Sequence, residues 1–167
     1  MPALSLRRAE PKDADAIADV FAAARKASMP YLPDLHSEDD TRSWIRDVVL
    51  ARDEVWVAAA GDRIDGYLVV NGDVLEHLYV APRLHGSGIG SALFAKAKQL
   101  RPQGFRLWVF QRNMQARGFY EARGMRVVEF TDGSGNEERE PDALYEWRPE
   151  PSPERAQPDA ARESTGR

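Results

Sequence analysis

The chain has 167 residues, 43% apolar and 30% charged, the profile of one soluble globular domain with a sizeable core. A formal charge of −4 leaves no basic footprint for nucleic acid, and the absence of cysteine excludes disulfides, thiolate zinc sites and a cysteine nucleophile. His36, His77 and His85 lie far apart without metal-ligand spacing, and no apolar run reaches the length of a membrane span. The opening MPALSLRRAEP lacks the apolar core of a signal peptide, so a cytoplasmic protein with no membrane partner is expected.

In chain order, LSLRRA alternates and predicts a first strand. Asp13 or Asp15 is the expected cap of a helix whose inner face carries Ile17, Val20, Phe21 and Ala24. The prolines of MPYLPD must end it. Ser37 predicts the N-cap of a second helix through about Val49, with Trp44 and Val48 facing inward. EVWVAAA, IDGYLVV and VLEHLYV predict three antiparallel strands joined by GDR and by NGD, the latter a hairpin signal. A third helix carries Ile89, Leu93, Ala97 and Leu100 inward, FRLWVF is a strand, and NMQARGFYEARG is a helix closed by Gly124. MRVVEF and ALYEW pair across the long loop TDGSGNEEREPD. The order β-α-α-β-β-β-α-β-α-β-β predicts an α/β (α+β) fold, a mixed, mostly antiparallel sheet with helices on both faces. The unit around the glycines should be a parallel crossover. No internal repeat is present. One domain is expected over 1–148, and the proline-rich residues 149–167 read as a disordered tail.

Gly86, Gly88 and Gly90 alternate where the third of those strands gives way to a helix. A helix N-terminus offers unpaired N–H groups and a partial positive charge, and glycine lets the backbone curl closely around an anion. Residues Gly86–Ser91 therefore predict a pyrophosphate cradle. A Walker loop would need lysine after Gly90, where Ser91 stands, and a dinucleotide GxGxxG would need glycine at that same position.

The segment His85-Gly86-Ser87-Gly88-Ile89-Gly90 resembles the acetyl-CoA signature Gln/Arg-x-x-Gly-x-Gly/Ala of the GNAT acetyltransferases, with His85 at the Gln/Arg position. A second register, Arg83 to Gly88, would restore the arginine. QRNMQARGFYEARGM resembles the family's Asn-x-x-Ala-x-x-x-Tyr-x-x-x-Gly-Phe stretch at Asn113, Ala116, Tyr120 and Gly124, with Met125 for the phenylalanine. The chain is similar to a single-domain, bacterial-type GNAT member over residues 4–148. The resemblance implies a seven-stranded sheet, acetyl-CoA as cosubstrate and no metal. It implies an amine acceptor, of a small molecule or a protein, attacking directly in a ternary complex. It also implies cosubstrate contacts from Leu78, Tyr79, Val80, His85, Gly86, Ser87, Gly88, Ile89, Gly90, Ser91, Asn113 and Tyr120, those of Leu78–Val80 through the backbone. A homodimer is consistent with it.

Tyr120 is the candidate general acid, because a phenol stays protonated at pH 7 and can donate to a leaving thiolate. Glu76 interrupts an apolar strand, two residues before Leu78 and on its face, and is the candidate base, with a water relay as the alternative. LPDLHSEDD and GNEEREPD, with Glu76, would make the acceptor end of the cleft acidic. Trp108 and Phe110 read as core rather than as a substrate platform, and His77 as a satisfied strand histidine rather than a base. The rival to an enzyme is a non-catalytic acyl-CoA-binding, sensing or interaction domain on the same fold.

Overall fold

The computed structural model describes residues 3–151. The expected tail falls outside them beyond Pro151. The elements run β1 (Leu4–Arg8), α1 (Ala14–Ser28), α2 (Glu38–Trp44), α3 (Leu50–Arg52), β2 (Glu54–Ala60), β3 (Arg63–Asn71), β4 (Val74–Val80), α4 (Ile89–Leu100), β5 (Phe105–Phe110), α5 (Met114–Ala122), β6 (Arg126–Phe130) and β7 (Asp142–Trp147). They build a seven-stranded sheet in the order β1-β2-β3-β4-β5-β7-β6, antiparallel except where β4 meets β5. The mixed, mostly antiparallel sheet expected from the sequence is thus the one observed.

Two cores lie on opposite faces. Ile17 and Val20 of α1 pack with Ile45, Val49, Val57, Tyr67 and Val69 on one side. Leu93, Phe94 and Ala97 of α4 pack with Leu68, Leu107 and Tyr145 on the other. The strand alternation of β3 divides its side chains between these cores.

Three local expectations change. Asp13 precedes α1, yet its carboxylate accepts from Arg7 (2.8 and 3.0 Å) and from the Glu10 N–H (2.7 Å) rather than capping the helix. It ties β1 to the start of α1 instead. Ser37 does cap α2, accepting from the Asp40 N–H at 3.0 Å. A π turn over Ile45–Val49 then shifts the helical phase, so Ile45 and Val49 point inward and Trp44 stays 40% exposed. Trp108 is 48% exposed instead of core, because Leu107 and Val109 take the buried face of β5.

Two β-bulges matter for function. Asp65 is the extra residue of β3 opposite Ala58 and Ala59, and Glu76 is the extra residue of β4 opposite Val69 and Val70. Bulged strands bend and twist more strongly. Beyond Glu76, β4 leaves β5: the only paired position in the β4–β5 ladder is Val74 with Arg106. The remainder of the two strands stands open.

Gly66 of β3 shows how tightly α4 is seated on this sheet. A Cβ there would lie 2.9 Å from the Tyr79 carbonyl oxygen and 3.2 Å from Ile89 and Leu93. Gly66→Ala should cost about 2 kcal/mol of stability through overpacking. Urea denaturation checks this, and an unchanged midpoint would show that α4 shifts freely.

Candidate functional site

The cradle forms in a short space. After β4, Pro82–Leu84 make a single 3-10 turn, and the Ser87 N–H and hydroxyl both donate to the Leu84 carbonyl (3.2 and 2.5 Å). Gly86 and Gly88 take φ of +83° and +92°, a left-handed backbone that side chains resist. Gly88 is the N-cap of α4 and has no side chain to cap it. The first intrahelical bond is Ala92 N–H to Gly88 O at 3.0 Å, so the N–H groups of Ile89, Gly90 and Ser91 precede it. Three donors and the positive helix end face one point. Gly90 serves packing as well, since a Cβ there would lie 3.2 Å from the Phe119 ring.

Gly88 as cap and Gly90 in the first turn decide between the two registers. Arg83, the arginine of the other register, is bonded to Asp65 (3.0 Å) and ties the turn to the β3 bulge. His85 bonds through Nε2 to the Val80 carbonyl at 3.3 Å.

The cradle opens into a cavity of about 420 Å³ that runs into the gap between β4 and β5. The Ala81 N–H donates across to Asp65 O of β3 (2.8 Å), and the β3–β4 register is regular from Val80 back to His77. Strand alternation therefore turns the N–H of Tyr79 toward β3 and those of Leu78 and Val80 toward the open gap. Tyr120 lines the gap from α5, packed against Phe94 and Phe119, and its hydroxyl makes no hydrogen bond among the described residues. Burial, with a smaller contribution from Tyr79, pushes its pKa well above the usual phenol value, so the hydroxyl holds its proton. Glu76 stands at the rim of the gap and has no ion-pair partner among the described residues. Burial and the nearby Asp53 raise its carboxyl.

The acetyltransferase (GNAT) domain pattern matches residues 51–126, which run from the end of the second helical segment to the start of β6. The chain is 28% identical over 125 residues to the peptidyl-lysine N-acetyltransferase YiaC of Escherichia coli K12, covering 74% of this chain and 84% of that protein. Its fold is similar to apo YjaB of Escherichia coli (TM-score 0.70, 22% identity, 87% of this chain and 97% of that one). It is similar also to the PaiA N-acetyltransferase of Thermoplasma acidophilum, solved with coenzyme A (TM-score 0.67, 22% identity, 88% and 99%). The chain is therefore similar to GNAT acetyltransferases in sequence pattern and in fold.

Among the described residues no group of side chains is arranged to hold a metal ion. Leu78, Tyr79, Val80, His85, Gly86, Gly88, Gly90, Ser91, Asn113, Tyr120 and Glu76 all line this cavity. Ser87 and Ile89 do not: the Ser87 side chain turns back to Leu84, and the Ile89 side chain is 5% exposed in the core. Only the backbone of Ile89 faces the cradle. Asn113 caps α5 by accepting from the Ala116 N–H at 3.2 Å, so its oxygen is partly committed to fold. Glu76 does not share a face with Leu78 through simple alternation. The bulge puts Leu75 and Leu78 on the same core face and leaves Glu76 between them, re-aimed to the rim.

In the expected acidic acceptor wall the three glutamates of GNEEREPD are paired. Glu137 bonds His36 (2.9 Å), Glu138 meets Arg25 (3.3 Å), and Glu140 accepts two bonds from Arg112 (2.6 and 2.8 Å). Arg112 lies 4.0 Å over the Tyr31 ring. Through these pairs the loop before β7 is held to the loop before α2 at His36, to α1 at Arg25 and to the turn before α5 at Arg112.

One residue at the edge of the cavity escapes the sequence reading. Arg123 donates to the Ser91 hydroxyl at 2.6 Å and stacks 3.6 Å over Phe119, beside the cradle. Its signal in the sequence was its place just before Gly124, at the end of the second motif.

His77 sits in an aromatic nest, stacked on Phe21 (5.5 Å) and bonded through Nδ1 to the Tyr67 hydroxyl (2.9 Å). Burial lowers its pKa to about 4. The unfolded chain takes up that proton near pH 6.5. The stability contributed by neutral His77 is therefore full above pH 6.5 and is lost as the pH falls from 6.5 to 4, up to about 3 kcal/mol. Urea unfolding at pH 7 and 4.5 should show this loss in the wild type and a much smaller one in His77→Phe. Equal losses would remove His77 as the cause.

Proposed function

We propose that this protein acetylates the ε-amine of lysine in a protein or peptide, by direct attack on acetyl-CoA held in the cavity. The observation that carries the reading is the open β4–β5 gap, with the cradle at one end and Glu76 at the rim. The 28% identity to a peptidyl-lysine N-acetyltransferase supports the acceptor class.

The cosubstrate supplies an activated acetyl thioester. The N–H groups of Ile89, Gly90 and Ser91 hold its pyrophosphate, and Arg123 adds the cation that His85 does not provide from the loop. Pantetheine lies along the free edge of β4, where the Leu78 and Val80 N–H groups pair with it and polarise the thioester carbonyl. At pH 7 only about one lysine amine in 2,500 is neutral. Glu76 takes the ammonium proton, directly or through one water. The nitrogen lone pair forms the C–N bond, the C–S bond breaks, the Tyr120 hydroxyl gives its proton to the leaving sulfur, and the proton lost by the new amide nitrogen returns to the Tyr120 oxygen.

Calorimetric titration of acetyl-CoA and a coupled assay of free thiol with a lysine peptide test this reading. One-to-one binding is expected, abolished by Gly88→Asp and weakened about ten-fold by Arg123→Ala, a loss typical of one charge-assisted bond. Tyr120→Phe should keep acetyl-CoA affinity and lower kcat about 100-fold. Binding without transfer to any amine would favour the acyl-CoA sensor reading.

The raised Glu76 carboxyl sets the acid limb of the rate profile. With Glu76 as base, kcat/KM should fall as the pH drops through a pKa above the usual glutamate range, because only the carboxylate accepts a proton. Glu76→Gln should lower the rate and flatten that limb. A limb unchanged in Glu76→Gln would assign the proton to a water relay.

A further inference from the structure

Trp108 is an unusual residue to leave uncovered. It lies in the middle of β5, 48% exposed, and has no aromatic or cationic partner among the described residues. Its strand neighbours Leu107 (2%) and Val109 (7%) are buried on the face covered by α4 and α5, so its indole projects from the opposite face. On that face α1 packs over β3 and β4. The indole therefore forms part of the cavity floor, with Ala24, Ser28 and Met29 at the end of α1 as the facing wall.

Register sets what stands across from it. Val74 pairs with Arg106 in parallel and Glu76 is the extra residue of the β4 bulge, so position 108 lies level with the Glu76–His77 step, just into the gap. At about 3.3 Å per residue, Trp108 is some 7 Å beyond the last paired position. Glu76, re-aimed by its bulge, and Trp108 thus flank the open strands from opposite sides, in one cavity. One side offers an unpaired carboxylate. The other offers a broad apolar plane, 48% exposed among the described residues.

That pairing fits a long aliphatic chain ending in a cation, which presents apolar surface along its length and charge at its tip. Glu137, Glu138 and Glu140 are bound to His36, Arg25 and Arg112, while Asp53 adds a second carboxylate near Glu76. We propose that Trp108 is the acceptor platform: the four-carbon stem of the substrate lysine lies on its indole and the amine reaches Glu76 across the gap. Trp108 is a specificity-determining residue, selecting lysine over shorter amines. This rests on the lysine-acetyltransferase reading above and adds to it the surface that measures the stem.

The test uses the full chain and three peptides alike except for lysine, ornithine or diaminobutyrate at one position. The wild type should prefer lysine. Trp108→Ala should raise KM for the lysine peptide about ten-fold, the contact of roughly two methylenes, and flatten the preference among the three. Its KM for acetyl-CoA should stay that of the wild type. Trp108→Phe, which keeps an aromatic plane, should retain the lysine preference. A wild-type KM and wild-type preference in Trp108→Ala would overturn the platform. So would a parallel rise in acetyl-CoA KM in both variants, which would mark a structural role. Acetyl transfer by the wild type to other amines but to none of these peptides would instead remove the lysine reading, and the platform with it.

Discussion

The structure turns on one interrupted ladder. A parallel strand pair normally continues to bond along its length, because each unpaired backbone N–H and C=O inside a protein is costly. Here β4 and β5 pair at Val74 and Arg106 and then part. The bulge at Glu76 bends β4 away, and the β7 ladder, paired along β5 from Phe105 to Phe110, holds β5 where it is. The free groups of Leu78 and Val80 are left for a ligand that can bond like a strand. Tyr120 reaches the same gap from the α5 face, and the end of α1 borders it on the other. A sheet without this break would bury the two faces separately, and no acid on one side could serve an amine arriving from the other.

Charge is distributed to match. The cradle uses backbone donors and the end of α4, so it can bind a polyanion although the chain as a whole is acidic. Arg123 sits at its edge, held by Ser91 and by the Phe119 face. On the acceptor side Glu137, Glu138 and Glu140 are paired and hold the loop before β7 to its neighbours. Glu76 keeps its carboxylate because no arginine reaches it. An ion-paired glutamate would be a poor base, its proton affinity lowered by the partner; burial and Asp53 push Glu76 the other way.

Much of this was legible in the residues. Alternation and helical spacing located the strands and helices, and the two glycine- and tyrosine-bearing motifs pointed to the cavity residues. What was not legible depended on phase and partner. The π turn rotated Trp44 outward and Ile45 inward, a slip that no 3.6-residue pattern predicts. The Glu76 bulge broke the period-two reading that had put it with Leu78. Trp108 read as core because alternation names two faces and cannot say that one lacks a cover. The acidic loop read as a charged wall because its partners Arg25, His36 and Arg112 are distant in sequence. Arg123 was missed for the same reason, its cradle partner Ser91 lying 32 residues away.

The same break explains why the aromatic side of the sheet is built so heavily. Opening two strands removes backbone bonds, so the strand that stays must be held from its other edge and from its face. β4 is bonded along β3, and on the α1 side Phe21 of α1 stacks on His77 while Tyr67 and Tyr79 meet this pair edge to face. A charged imidazole there would lose this packing to desolvation, which is why His77 is kept neutral and is no rival to Glu76 as base. The neutral His77 and the ionisable Glu76 are adjacent in sequence, and the bulge between their environments separates a residue that holds the strand from one that faces the substrate.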